Sequence, residues 1–162
     1  MKTIHQRRSL QGKASDRPRL LITGCPNSGV RDKIIKTVEE LGADVVAFDC
    51  CNGTREKVEP VDENMPIYDA LAKKYLNINC SVMSQNNSRM QYIDEMIDEY
   101  HVDGVIEIIL QACHTYNIES HYVKQTVTNK GKSYLMIETD YSQADKGQIR
   151  TRLEAFLETL EK

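Results

Sequence analysis

An α/β fold is predicted: a doubly wound parallel sheet of the Rossmann or flavodoxin-like kind, with helices on both faces, in a single domain. Short apolar runs alternate with longer segments whose apolar residues recur at helical spacing, the pattern of a parallel sheet covered on both sides. The runs carry Ile, Leu and Val side by side, as strands buried on both faces require. The length, 162 residues, suits one sizeable core and is short for two. Neither an internal repeat nor a low-complexity block interrupts the series.

Arg19–Gly24, RLLITG, is the first strand, and a Gly-Cys-Pro turn closes it. In SGVRDKIIKTVEELGA, Val30, Ile34, Ile35, Val38 and Leu41 line one helical face, and Gly42 stands where a C-terminal cap belongs. Asp44–Asp49, DVVAFD, is the second strand and runs into Cys50, Cys51, Asn52 and Gly53. Thr54 to Met65 is polar and irregular. Pro66 then opens a helix, PIYDALAKKYLN, at its first position. Asn77–Ser88 reads as a loop with room for one short strand. From Arg89 to Tyr100, Met90, Ile93, Met96, Ile97 and Tyr100 form a stripe for the core, while Asp94, Glu95, Asp98 and Glu99 face water. GVIEIIL is the third strand. A helix from about Asn117 to Thr128 follows, then the strand SYLMIET, then a last helix with Ile149, Leu153, Phe156, Leu157 and Leu160 on one face.

Charge narrows the range of partners. The 24 acids and 21 bases leave a small negative balance, which argues against nucleic acid, because phosphate binding takes a concentrated basic surface. Basic bias is confined to the N-terminal MKTIHQRRSLQGKASDRPR, which has no apolar periodicity. Residues 1–18 therefore read as a polar tail or linker, and 19–162 as the α/β domain. RRSL is followed by no hydrophobic stretch of the kind an export signal needs, and no apolar run is long enough for a membrane span. A cytoplasmic location is expected.

Five cysteines, Cys25, Cys50, Cys51, Cys80 and Cys113, are an odd and widely spaced set without a CxxC pair. That argues against a disulfide framework, a zinc ribbon and a thioredoxin-like pair. In a doubly wound sheet, ligands gather outside the carboxyl ends of the strands. Cys25 follows the first strand, Cys50 and Cys51 end the second, Cys113 follows the third, and Cys80 lies in the connection leading to it. Randomly placed core cysteines would be scattered instead. Thiols near helix N-termini favour the thiolate, and several of them suit a soft metal or an iron–sulfur cluster. A nucleophile would need an activating base. His114 adjoins Cys113, but neighbouring side chains usually point apart, so His114 is expected to hydrogen-bond a sulfur or backbone group near the site, or to be structural.

LLITGCPNSGV, DALAKKYLNINCSVMSQNNSR, VDGVIEIILQACHTYNIES and YLMIETDYSQADKGQIRTRLEAF occur in this order from Arg19 to Leu160. Together they resemble the C-terminal domain of the 2-hydroxyacyl-CoA dehydratase D-component family, which includes benzoyl-CoA reductase subunits and double-cubane-cluster reductases. The resemblance implies an oxygen-sensitive iron–sulfur protein whose cluster, [4Fe–4S] or double-cubane, lies between domains on cysteine thiolates. It implies an ATP-hydrolysing activator that delivers one electron, and an acyl-CoA whose thioester carbonyl receives it. The resulting ketyl radical can then expel the leaving group. Carried over by position, Cys113 matches the cysteine of the QACH motif, Cys51 that of the family's FENCxG (here FDCCNG), and Cys80 the first of its PCSCM (here NCSVM). Two positions depart: Val82 replaces the second cysteine of that last motif, and Asn79 its proline. Cys50, at the family's Asn position, and Cys25, in GCP, are expected near the site rather than on the metal. Glu138, Asp140 and Arg152 lie in shared motifs and are expected in structural salt bridges.

Relatives carry further N-terminal regions that supply other ligands and much of the substrate pocket. The chain is therefore expected to work with N-terminal dehydratase domains or a second dehydratase subunit, and to be inactive alone. Two other functions remain: a double-cubane-type reductase or electron-transfer module, and a cluster-free α/β module binding a nucleotide or CoA. Against the last, GCPNSG is neither a GxGxxG nor a P-loop.

Overall fold

The computed structural model describes residues 16–25, 29–30, 33–50, 55, 60–83 and 85–160. Four parallel strands, β1 (Arg19–Gly24), β2 (Asp44–Cys50), β3 (Gly104–Leu110) and β4 (Ser133–Thr139), form one sheet in the order β2-β1-β3-β4. The chain steps from β1 to β2 on one side, then returns to add β3 on the other side of β1. That reversal puts the topological switch point between the carboxyl ends of β1 and β3.

Among the described residues there are five helices: α1 (Ile35–Glu40), α2 (Ile67–Leu76), α3 (Asn87–Glu99), α4 (His114–Asn129) and α5 (Lys146–Glu158). Side chains alternate along each strand, so each strand feeds both faces. Leu20, Ile22, Ile106, Ile108 and Ile137 pack under Ile34 and Val38 of the α1 region and Ile149, Leu153 and Phe156 of α5. On the other face Leu21, Ala47 and Val105 meet Ile93, Met96 and Ile97 of α3 and Val123 and Val127 of α4. Lys33 is fully buried beneath the first face. Its amine donates to the Ser142 carbonyl at 2.6 Å and to Asp145 Oδ1 at 2.8 Å, tying the start of α1 to the entry of α5.

β1, β3 and β4 span the predicted residues, and β2 runs one residue further, to Cys50. Gly42 has φ +91°, the left-handed conformation of a helix C-terminal glycine. Pro66 is the N-cap of α2 rather than its first helical residue. Among the described residues of the 77–86 connection there is no strand. α4 begins at His114, three residues before the expected Asn117, which puts Cys113 at its N-cap. α2 buries only Ala70, and none of its side chains belongs to the three buried apolar clusters. No helix among the described residues is long and apolar enough to cross a membrane.

Candidate functional site

Gly24 ends β1 at φ +108°, and a Cβ there would lie 2.1 Å from the Ile108 carbonyl oxygen. Only glycine allows this close approach of β1 to β3. The next residue, Cys25, donates its N–H to that carbonyl at 2.8 Å, and its sulfur accepts the Leu110 N–H at 3.3 Å. Past Leu110 the chain turns over Gln111 and Ala112, closed by the Cys113 N–H on the Leu110 carbonyl at 2.9 Å. Ala112 sits at φ +65°, a left-handed position in which a non-glycine residue is strained. The turn packs Cys113 against the buried cluster of Cys25, Ile109 and Tyr116. Two cysteines that follow neighbouring strands thus lie at the switch point.

Burial pushes the Cys113 thiol up, but the Tyr116 backbone N–H, the Thr115 hydroxyl and the Cys25 thiol outweigh it, and the net direction is toward thiolate. Thr115 Oγ1 lies 3.6 Å from that sulfur and accepts from Ser81 Oγ at 3.5 Å. The residue after Cys80 is therefore tied to the first turn of α4. Cys80 itself is half-buried, its carbonyl accepting the Asn86 side-chain amide at 3.0 Å. Beside this loop lies a cleft of about 330 Å³ walled by Met83, Met90, Ile118 and Tyr122, with Ser81 and Thr115 on its rim.

The other expected residues divide. Cys50 is buried at the end of β2 and, one residue past Asp49, points to the opposite face of the sheet. His114 is exposed at the first position of α4, and among the described residues its imidazole makes no hydrogen bond to a sulfur. Cys51 lies outside the described residues, as do residues 1–15 of the basic tail. Asn79 adopts φ +56°, which a proline cannot, and its carbonyl accepts Arg55 Nη1 at 3.0 Å and the Asn86 amide at 3.3 Å. Val82 is 70 % exposed. Asp140 lies 3.8 Å from Lys33, whereas Arg152 donates to the Met136 carbonyl rather than to an acid. Among the described residues no three His, Cys, Asp or Glu side chains converge as a metal-binding set.

Beneath the thiols lies a charged network that the apolar pattern does not announce. Asp49 and Thr23, on adjacent strands, bond to each other at 2.7 Å. Arg89, from the first turn of α3 and fully buried, donates to Asp49 at 3.1 Å, to Thr23 at 2.9 Å and to Glu119 of α4, with its guanidinium 5.2 Å over the Tyr116 ring. Arg55 donates to Asp49 as well, through Nε and, at 2.9 Å, through Nη2, and reaches the Tyr116 hydroxyl at 3.5 Å. Burial pushes the Asp49 carboxyl up, but Arg89 and Arg55 overcome it and hold the acid below its usual range. Glu107, also fully buried, accepts the Tyr134 hydroxyl at 2.6 Å on one oxygen, while the other has no partner among the described residues. Burial is the main reason its carboxyl is pushed up to about 7. The available signal was the single acid within the apolar VIEIIL, because a charge buried in a central strand demands partners.

The model of the 2-hydroxyglutaryl-CoA dehydratase D-component family matches residues 1–160. The chain belongs to that family. It is 48 % identical over 145 residues to a protein of Escherichia coli (strain K12) named dehydratase subunit YjiM, covering 89 % of this chain and 38 % of that protein. It is 28 % identical over 155 residues to the (R)-phenyllactyl-CoA dehydratase beta subunit of Clostridium sporogenes, covering 94 % of this chain and 41 % of that subunit. The chain thus spans about two-fifths of the length of these curated relatives. The family match bears out the resemblance carried by the QACH and IETDYS stretches, and it also takes in the basic N-terminal residues.

Proposed function

We propose that this chain is the cluster-ligating part of a 2-hydroxyacyl-CoA dehydratase of the cytoplasm, with residues 1–18 as a linker into the α/β domain. Cys113, Cys51 and Cys80 are its proposed ligands to an iron–sulfur cluster, [4Fe–4S] or double-cubane. The remaining donors come from N-terminal dehydratase domains or a partner subunit. One observation carries this reading: a member of this family presents a thiol inclined toward thiolate, Cys113, at the switch point of a doubly wound sheet. The donor chemistry fits, since thiolates are the ligands such clusters take.

When bound, the cluster supplies a single electron, delivered by an ATP-hydrolysing activator, to the thioester of an acyl-CoA. The chain's own residues do the positioning. The strained turn at Ala112 and the hydrogen bonds around Cys113 hold its sulfur at the sheet edge. The Ser81–Thr115 contact holds the Cys80 loop beside it. The cleft of Met83, Met90, Ile118 and Tyr122 offers an apolar wall next to that edge, suited to an acyl chain.

The test is iron and acid-labile sulfide per chain after anaerobic reconstitution, for the natural protein and for Cys113→Ser. Equal iron and sulfide, lost in the variant, is the expected outcome. Metal-free protein in both cases, with N-terminal dehydratase domains or a second dehydratase subunit also supplied, would overturn the proposal in favour of a cluster-free binding module. Iron uptake without dehydration of any 2-hydroxyacyl-CoA by the completed assembly would leave an electron-transfer module instead.

A further inference from the structure

We propose that Arg55 and Asn86 are positioning residues, which together hold the Asn79–Cys80 backbone, and with it the Cys80 thiol, against β2 and α4. The segment 77–83 contains no buried side chain, and none of its residues packs into the three apolar clusters. Among the described residues its backbone hydrogen bonds are local. Asn77 donates back to Lys74 at 3.1 Å and Met83 to Cys80 at 3.0 Å, and none reaches the sheet. Neither apolar packing nor a strand ladder therefore fixes this segment. Its place depends on side chains that reach it from outside.

Two grips converge on it. The Asn79 carbonyl accepts Arg55 Nη1 at 3.0 Å and the Asn86 side-chain amide at 3.3 Å. Arg55 is 5 % exposed, and its guanidinium is anchored on Asp49 at the end of β2, through Nε and, at 2.9 Å, through Nη2. Asn86 donates from the same nitrogen to the Cys80 carbonyl at 3.0 Å and to Glu119 Oε1 of α4 at 2.6 Å. Arg89 holds Glu119 in turn. The backbone that carries the thiol is thus joined to a strand by one side chain and to a helix by the other. Ser88 Oγ adds a bond to Asn79 Oδ1 at 2.6 Å. A guanidinium can bridge in this way because its donors diverge within one plane. A lysine ammonium there would keep a charge beside Asp49 but lacks the fork. The part that Cys80 plays as a ligand rests on the function proposed above, whereas the clamp needs only these distances.

The test is backbone amide relaxation, measured by nuclear magnetic resonance on the full, metal-free chain, for the natural protein, Asn86→Ala, Arg55→Lys and the double variant. In natural protein the Asn79, Cys80 and Ser81 amides are expected near the order parameter of rigid backbone, about 0.85. The double variant is expected to fall below about 0.6 there, with each single variant in between. Amides of β1 and β3 should keep their natural values, which separates local release from general destabilisation. Natural protein already below about 0.6 at Cys80, or a double variant still near 0.85, overturns the proposal. So does an equal loss across the strands. With N-terminal dehydratase domains or a second dehydratase subunit supplied, the double variant is expected to bind iron roughly 10–100-fold more weakly, as loss of groups that orient metal ligands does. Unchanged iron affinity would overturn the positioning role. If the natural assembly takes up no iron, the function proposed above fails, and the order parameters still decide the clamp.

Discussion

Replacing Arg89 with methionine removes one of two guanidinium groups from a site that holds two ionised carboxylates. Arg89 is fully buried and bonds Asp49, Glu119 and Thr23 at once. After the substitution Asp49 keeps Arg55, but among the described residues Glu119 keeps only the Asn86 amide, which donates to it at 2.6 Å. One negative charge is then left in the interior without a cation. Breaking a buried pair from one side costs about 3–5 kcal/mol, whereas replacing both partners by apolar groups is often close to neutral. Arg89→Met is thus expected to destabilise by about 3–5 kcal/mol, and adding Glu119→Leu is expected to recover most of that. With a urea slope of about 2 kcal/mol/M, the single variant's midpoint falls by roughly 1.5–2.5 M. Urea unfolding followed by far-ultraviolet circular dichroism, on the natural protein, both single variants and the double, gives the coupling energy directly. A single-variant cost below about 1 kcal/mol, or a double-variant cost equal to the sum of the singles, would refute the charge argument.

Glu107 should leave a signature in the pH dependence of stability. Its carboxyl titrates near 7 in the fold against 4.5 in the open chain, so the folded state holds the proton more tightly. Its contribution is fully present below pH 4.5 and is lost as pH rises through 7, a change of about 3 kcal/mol. Glu107→Gln, neutral throughout, is expected to lack that decline, and the difference between the two stability curves should be flat outside the window; parallel curves across it would count against the assignment. Gly24→Ala places a methyl 2.1 Å from the Ile108 carbonyl at a left-handed φ, so it is expected to cost more than about 3 kcal/mol. Thermal unfolding measures the cost, and an unchanged melting temperature would contradict the close approach of β1 to β3.

Much of the fold can be read locally because parallel strands buried on both faces must be continuous apolar runs. RLLITG, GVIEIIL and SYLMIET accordingly match β1, β3 and β4 residue for residue. The start of α4 could not be read in the same way. His114 and Thr115 are polar, and the turn before them depends on a left-handed alanine that no sequence rule favours. At the site, the placing of thiols at strand ends was readable, but which ends lie side by side was not. Cys25 and Cys113 come to one edge through a β1–β3 pairing that lies outside any local window. Arg89 was hidden for a related reason. It lies on the helical face of Ile93, Met96 and Ile97, where spacing alone predicts an apolar residue. Only the acids waiting on β2 and α4 make an arginine the stable choice there.

α2 has a consequence for how the molecule moves. Its ten residues fall short of the roughly 12–15 at which an isolated helix sustains itself, and its buried contribution is a single alanine. Tyr68 and Leu76 lie open, 83 % and 68 % exposed. Opening α2 therefore sacrifices almost no packing, whereas opening β1 or β3 requires the whole sheet to come apart. Its amides are expected to exchange with solvent deuterium far sooner than those of the strands. Slowed exchange at α2 alone would be the first sign that something had settled on Tyr68 and Leu76.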